Sequence, residues 1–255
     1  FTLAGMLVIV GMSVAQRRPL VPQTRDIKPI CILSLFQTIG QYFFFYLGLS
    51  RASAMSSSII EASANFLAIL FAALAFHTEK LNTAKVLGCA LGFAGVALVN
   101  LSGADGTFGF RLDGEGFILA STVAGALSTC LIGIFSRKHD GVLLAGWQFL
   151  VGGLVLTAIG FLMGGTLSPT TIAPAIALII YMALISAVAY SLWSRLLAVN
   201  PVSRVSVFGF MNPVFGVVLS ALLLGEGAGT SPITVIVALL LVCGGIIIVN
   251  KPKKA

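Results

Sequence analysis

Charge is what this chain has least of: Asp, Glu, Lys and Arg make up only 9% of its 255 residues, against roughly 25% in soluble domains. Hydrophobic residues reach 58% and the mean hydropathy is +1.07. A water-soluble fold of this size could not cover that much apolar surface, so the soluble classes are excluded. Strict apolar/polar alternation is also missing, which excludes a membrane β-barrel. Cys31, Cys89, Cys130 and Cys243 each stand alone in an apolar run, without C-x-x-C spacing or a neighbouring histidine. No disulfide framework or metal site is therefore expected, and the four read as small core residues. His77 and His139 are the only histidines and lie among charged neighbours at helix ends, where they read as solvated interface residues. There is no G-x-x-x-x-G-K-[ST] loop, hence no expected ATP site or other cofactor. There is no basic, aromatic-interleaved face, hence no expected nucleic-acid partner.

What is present is a series of apolar runs of bilayer length. Backbone groups in hydrocarbon must be satisfied within their own segment, so each run is expected to be a helix. Breaks at charge, Pro or Asn give nine: residues 1–15, 30–49, 54–76, 86–101, 116–135, 142–163, 174–197, 202–224 and 233–249. The first is short for a ~30 Å core. Position 1 is Phe, so native sequence is expected in front of it. A signal peptide does not fit, because no basic region precedes the run.

The runs form two similar halves. Asn65 and Asn212, like Glu79 and Glu226, lie 147 positions apart; Phe1/Phe149 and Gly5/Gly153 are 148 apart; Gly95/Gly245 and Asn100/Asn250 are 150 apart. Identity between the halves is low, but the charges agree independently. Thirteen Lys and Arg fall on one side of the alternating loops, and only Arg51 and Arg111 on the other. By the positive-inside rule the basic side, with the C-terminus, is expected to be cytoplasmic. The net charge of +7 thus reflects topology. Glu79 then lies inside and Glu226 outside, as inverted repeats require. The second half has one helix more than the first, so ten helices, five per repeat, are expected in the parent protein. The expected organisation is a first repeat at 1–101 lacking its opening helix, a loop at 102–115, a second repeat at 116–250 and a basic cytoplasmic tail at 251–255. The fold class expected is an all-α membrane bundle of two inverted five-helix repeats.

The stretch GLSRASAMSSSIIEASANFLAILFAALAFHTEKL from Gly48 to Leu81, then LGCALGFAGVALVNL, resembles the first repeat of the ten-helix EamA-type proteins of the drug/metabolite transporter superfamily. NPVSRVSVFGFMNPVFGVVLSALLLGE, from Asn200 to Glu226, resembles the second repeat, with its mid-span Pro and Gly-Glu ending. The resemblance implies two inverted bundles, with the family's helices 3, 4, 8 and 9 among those lining a central cavity. It also implies a secondary active transporter, a permease or exporter, working by alternating access across the cytoplasmic membrane. Its substrates would be small metabolites, amino acids or amphiphilic drugs, with protons as a candidate coupling ion. One departure is Phe66, standing where the second repeat has Pro213. A non-transporting membrane receptor or scaffold is the alternative. Intramembrane hydrolysis lacks its Ser-His or paired-carboxylate machinery inside the spans, so no enzyme is expected.

Polar residues inside spans are the candidate pathway, because a polar group facing lipid is costly. Glu61 is the one acidic residue well inside a run, and Ser57, Glu61 and Asn65 recur at i, i+4 on one helix face. They read as a proton or substrate-amine site, or as a structural carboxyl bonded across a helix seam. Gln37 and Gln41 form a second such pair, with Tyr42 and Tyr46 nearby; substrate contact and interhelical bonding are both open. Trp147 with Gln148, and Tyr190 with Trp193, lie near span ends and suit interfacial anchoring, with Tyr190 retained as a pathway candidate. Pro213 frees backbone carbonyls near Asn212, for a ligand, a hinge or a plain kink. Gly88-x-x-x-Gly92 and Gly160-x-x-x-Gly164 are spaced for close helix packing.

Overall fold

A mostly apolar run of fifteen residues beginning at Thr2 opens the chain as a helix, α1, Thr2–Gln16. The computed structural model describes residues 1–17, 20–52, 54–102, 111–166, 172–212, 214–215 and 232–251. The next helix, α2, is Thr24–Leu49. It starts ahead of the expected residue 30 because Gln23 and Asp26 form a reciprocal capping box that seeds the helix. Pro29 falls inside it, where the lost N–H costs one bond near the start. The middle of α2, Ser34–Gly40, is π-helical. α3, Ala54–Leu70, likewise widens into a π-helical stretch, Phe71–Ala75. There follow α4, Thr83–Ser102, α5, Glu115–Phe135, α6, Gly141–Leu162, and α7, Ile172–Val199. α8, Val202–Ser206, tightens into a 3-10 turn, Val207–Phe210, and α9 is Pro232–Asn250. No strand occurs among the described residues. Six of these helices are long and apolar enough to cross a membrane, and α1 and the Thr83–Leu98 part of α4 are shorter apolar helices.

The exposed surface is apolar, the reverse of a soluble protein. On α7 the side chains of Ile176, Leu178, Ile179, Ile180, Met182, Leu184, Ile185 and Val188 all face outward. An apolar face of that extent has lipid as its solvent. Cys31 and Cys243 are also exposed, which corrects their reading as core residues; only Cys89 and Cys130 are buried.

Two compact units emerge, each drawing on both halves of the sequence. The first comprises residues 1–43 and 131–199, the second 44–130 and 200–255. In the first, α1 packs along α6 around a core of Ala4, Val8, Val142, Phe149, Ala183 and Ala187. In the second, α4 packs along α9 around Ala62, Ile69, Cys89, Val96, Val207, Phe210, Val214, Val242 and Val249. The packed helices are counterparts in the sequence halves, α1 with α6 and α4 with α9. Glycines let their backbones meet. A Cβ added to Gly5 would lie 2.7 Å from the Gly146 carbonyl oxygen, and one on Gly88 2.7 Å from the Gly245 carbonyl oxygen. Lipid tails supply no hydrophobic drive between helices, so this close packing is what holds each pair. Gly92 packs against the Phe210 ring, whereas Gly160 and Gly164 have no neighbour within 4 Å of an added Cβ. The Gly160-x-x-x-Gly164 expectation is thus corrected: Gly164 lies past the end of α6 with φ +86° and serves the turn.

Candidate functional site

In the first unit the π-helical stretch of α2 turns Gln37 and Thr38 inward, a local irregularity of the kind that recurs at working sites. Gln148 on α6 donates from Nε2 to Gln37 Oε1 at 2.5 Å. The backbone carbonyl of Gln148 accepts from Ser34 Oγ at 3.2 Å and Thr38 Oγ1 at 3.5 Å. Gln148 is only 1% exposed, which corrects its reading as an interfacial anchor: an amide in hydrocarbon needs a partner, and Gln37 is one. Gln148 Oε1 stays buried with no partner among the described residues. One and a half turns along α2, the Tyr42 and Tyr190 hydroxyls meet at 2.5 Å. Their rings are held by Phe1, 4.2 Å from Tyr42, and by Phe149, edge-on to Tyr190 at 4.7 Å. Phe1 and Phe149 themselves stack at 5.4 Å. Gln41 is half-buried on the same helix. The first unit therefore brings together Gln37, Tyr42 and Tyr190 with Gln148, Ser34 and Thr38, three residues the sequence reading did not select for the pathway. A mid-span amide that needs a partner was the available signal.

In the second unit, α3 carries Ser57, Glu61 and Asn65. Ser57 is buried and its Oγ has no hydrogen-bond partner among the described residues. Glu61 is partly buried. Asn65 donates from Nδ2 to the Ala62 carbonyl at 3.3 Å, and its amide abuts Gly209 on the 3-10 turn, where a Cβ would collide with it. Asn212 is exposed; Pro213, Gly225 and Glu226 lie outside the described residues.

Three polar features settle at the helix ends. His139 Nδ1 lies 2.6 Å from Asp26 Oδ1, with side chains 13% and 8% exposed, so His139 is a buried partner rather than the solvated residue expected. Trp147 Nε1 donates to the Leu20 carbonyl at 2.8 Å. Glu79 accepts from Lys85 Nζ at 2.6 Å, from the Ser203 backbone N–H at 3.1 Å and from the Ser203 hydroxyl, tying the end of α3 to the start of α8. Burial pushes the Glu79 carboxyl up, but the Lys85 ammonium and the Ser203 donors outweigh it and hold the group below the usual carboxylate range. Among the described residues no cluster of three or more His, Cys, Asp or Glu could hold a metal ion.

Comparison with known proteins finds the EamA-like transporter family matching residues 1–101 and 112–251. A WAT1-related chloroplastic protein of Arabidopsis thaliana is 27% identical over 88% of this chain and 55% of its own length; the chain spans about half of that relative. An uncharacterized transporter of Bacillus subtilis is 25% identical over the whole chain and 81% of its own length. An uncharacterized transporter of Synechocystis is 26% identical over 88% of this chain and 72% of its own. A solved crystal structure at 21% identity superposes on 98% of this chain and 85% of its own with a TM-score of 0.80; at that identity the likeness is one of fold.

Proposed function

The chain belongs to the EamA-like transporter family, a multi-pass membrane protein, and on that premise we propose that it is a secondary active transporter coupled to protons through Glu61. Its substrates would be small metabolites, amino acids or amphiphilic drugs, moved across the cell membrane by alternating access between two inverted repeats, 1–101 and 116–250. The observation that carries the reading is Glu61 itself. It sits in the span Ser56–Ala75, one helical turn from the Ser57 hydroxyl, which has no partner among the described residues, and a carboxyl inside a span is retained at a cost that function repays. Ser57 and Asn65 flank it on the same face of α3. The Gln37, Gln41, Tyr42 and Tyr190 group, with Asn212 and Pro213, supplies the remaining polar groups proposed for the pathway. The pairing of counterpart helices, α1 with α6 and α4 with α9, supports the repeat organisation.

Substrate counterflow in proteoliposomes, screened over amino acids, nucleosides and amphiphilic drugs, tests the proposal. Saturable exchange of any one of them is the expected result; its absence across the panel, with ligand binding retained, favours the receptor or scaffold alternative. Orientation is part of the proposal, with the basic side and C-terminus in the cytoplasm. A cysteine replacing Leu112 should react with an impermeant thiol reagent in intact cells, and one replacing Gln23 should not.

A further inference from the structure

A cavity of about 340 Å³ opens at the basic ends of the second unit's helices, with Glu79, Lys80, Lys85, Ser203, Arg204 and Lys251 in its wall. Its charge does not balance. Both Glu79 oxygens are taken, Oε2 by Lys85 Nζ and the Ser203 hydroxyl, Oε1 by the Ser203 N–H. Lys85 is held further by the Lys80 carbonyl at 2.9 Å. That internal pair cancels itself and leaves Lys80, Arg204 and Lys251 around the opening. All three side chains are exposed and make no ion pair among the described residues. Lys253 and Lys254 follow in the sequence. A cation entering here would have to displace Lys85 while facing three positive charges, whereas an anion meets them uncompensated. The cavity also lies at span ends, between Ala75 and Thr83 and beside Val202 and Asn250, the depth of lipid headgroups. Basic pockets between helices at that depth suit phosphate groups, and a guanidinium beside two ammonium groups can clamp a tetrahedral oxyanion.

We propose that this cavity is a binding site for a phosphate-bearing anion, separate from the Glu61 pathway. Two sources share that chemistry, the headgroup of an anionic phospholipid in the surrounding leaflet and a soluble phosphate.

The test uses the protein purified in detergent, with native mass spectrometry reading retained phosphatidylglycerol against phosphatidylcholine, and inorganic phosphate as competitor. The variant K80Q/R204Q/K251Q alters exposed groups only, and R137Q/K138Q, two exposed basic residues of the first unit, is the control. The parent and the control should retain phosphatidylglycerol selectively, and the triple variant should bind it roughly a hundred-fold more weakly, about fivefold per basic group removed. Displacement of the lipid by millimolar inorganic phosphate, or protection of the parent against heating by phosphate alone, would identify the soluble anion as the ligand of the same site. The proposal is overturned if the triple variant retains the lipid as the parent does. It is equally overturned if the parent neither distinguishes the two lipids nor responds to phosphate. Substrate counterflow, measured on the same variants, reports the Glu61 reading independently.

Discussion

The two compact units solve the same packing problem and then part company over polar groups. Each crosses a counterpart helix pair on glycine, Gly5 against Gly146 in one and Gly88 against Gly245 in the other. Inside the first, polar side chains pair with one another, Gln37 with Gln148 and Tyr42 with Tyr190, and only Gln148 Oε1 of these groups is left without a partner among the described residues. Inside the second, α3 holds a buried Ser57 hydroxyl with no partner among the described residues, with Glu61 on the same face. A linked network fixes a shape, whereas a hydroxyl outside any network keeps capacity for a ligand. The polar groups of the first unit are thus mostly committed to one another, and those on α3 of the second are less so.

The sharpest way to break this comparison is through the shared element. Gly5→Leu should prevent recovery of folded protein, because its side chain must enter the Gly146 and Leu150 backbone. Gly160→Leu, with open space around it, should be recovered at near parent yield by size-exclusion chromatography. A smaller effect separates the units. Gln148→Leu strands the Gln37 amide and should destabilise by about 1–3 kcal/mol, read as a loss in thermal stability in detergent. Smaller again is the acid response of the second unit. The paired Glu79 has its carboxyl held low, so its contribution is complete above the ordinary Glu range near pH 4.5 and is lost as pH falls below that through the folded value. Glu79→Gln should flatten that part of the stability-versus-pH curve and leave the neutral range sloping as in the parent. Least of all, Ser57→Ala removes a hydroxyl with no described partner and should change stability by no more than about 0.5 kcal/mol. A loss like that of Gln148→Leu would erase the distinction between the units.

The architecture was largely legible because apolar run length sets a span directly, and α5 and α6 lie within a residue of their expected ends. The exceptions have local causes. α2 starts at Thr24 because the Gln23–Asp26 box nucleates it ahead of Pro29, and Pro29 had served as the stop. The π-helical stretches Ser34–Gly40 and Phe71–Ala75 leave no mark in the sequence, yet the first sets which way Gln37 points. Long-range partners were the least legible. His139 and Asp26, or Glu79 and Ser203, lie more than a hundred positions apart, and nothing in either neighbourhood names the other. Glu61 could be singled out because a carboxyl amid apolar residues is conspicuous without knowing its surroundings. Gln148 was assigned to the interface because an amide beside Trp147 near a span end fits anchoring as well as burial.

Coupling of transport to protons through Glu61 is proposed, and the titration of that carboxyl can be removed in isolation. Glu61→Gln keeps the shape and hydrogen-bonding capacity of the side chain and removes only its ability to titrate. In proteoliposomes carrying an imposed pH gradient, with a substrate identified by counterflow, the variant should fold as the parent does. If the carboxyl is the proton's site as proposed, the variant should lose gradient-driven accumulation by at least about tenfold and retain exchange at zero gradient. Accumulation that still follows the pH gradient as in the parent would contradict the claim and leave Glu61 as a structural residue of α3.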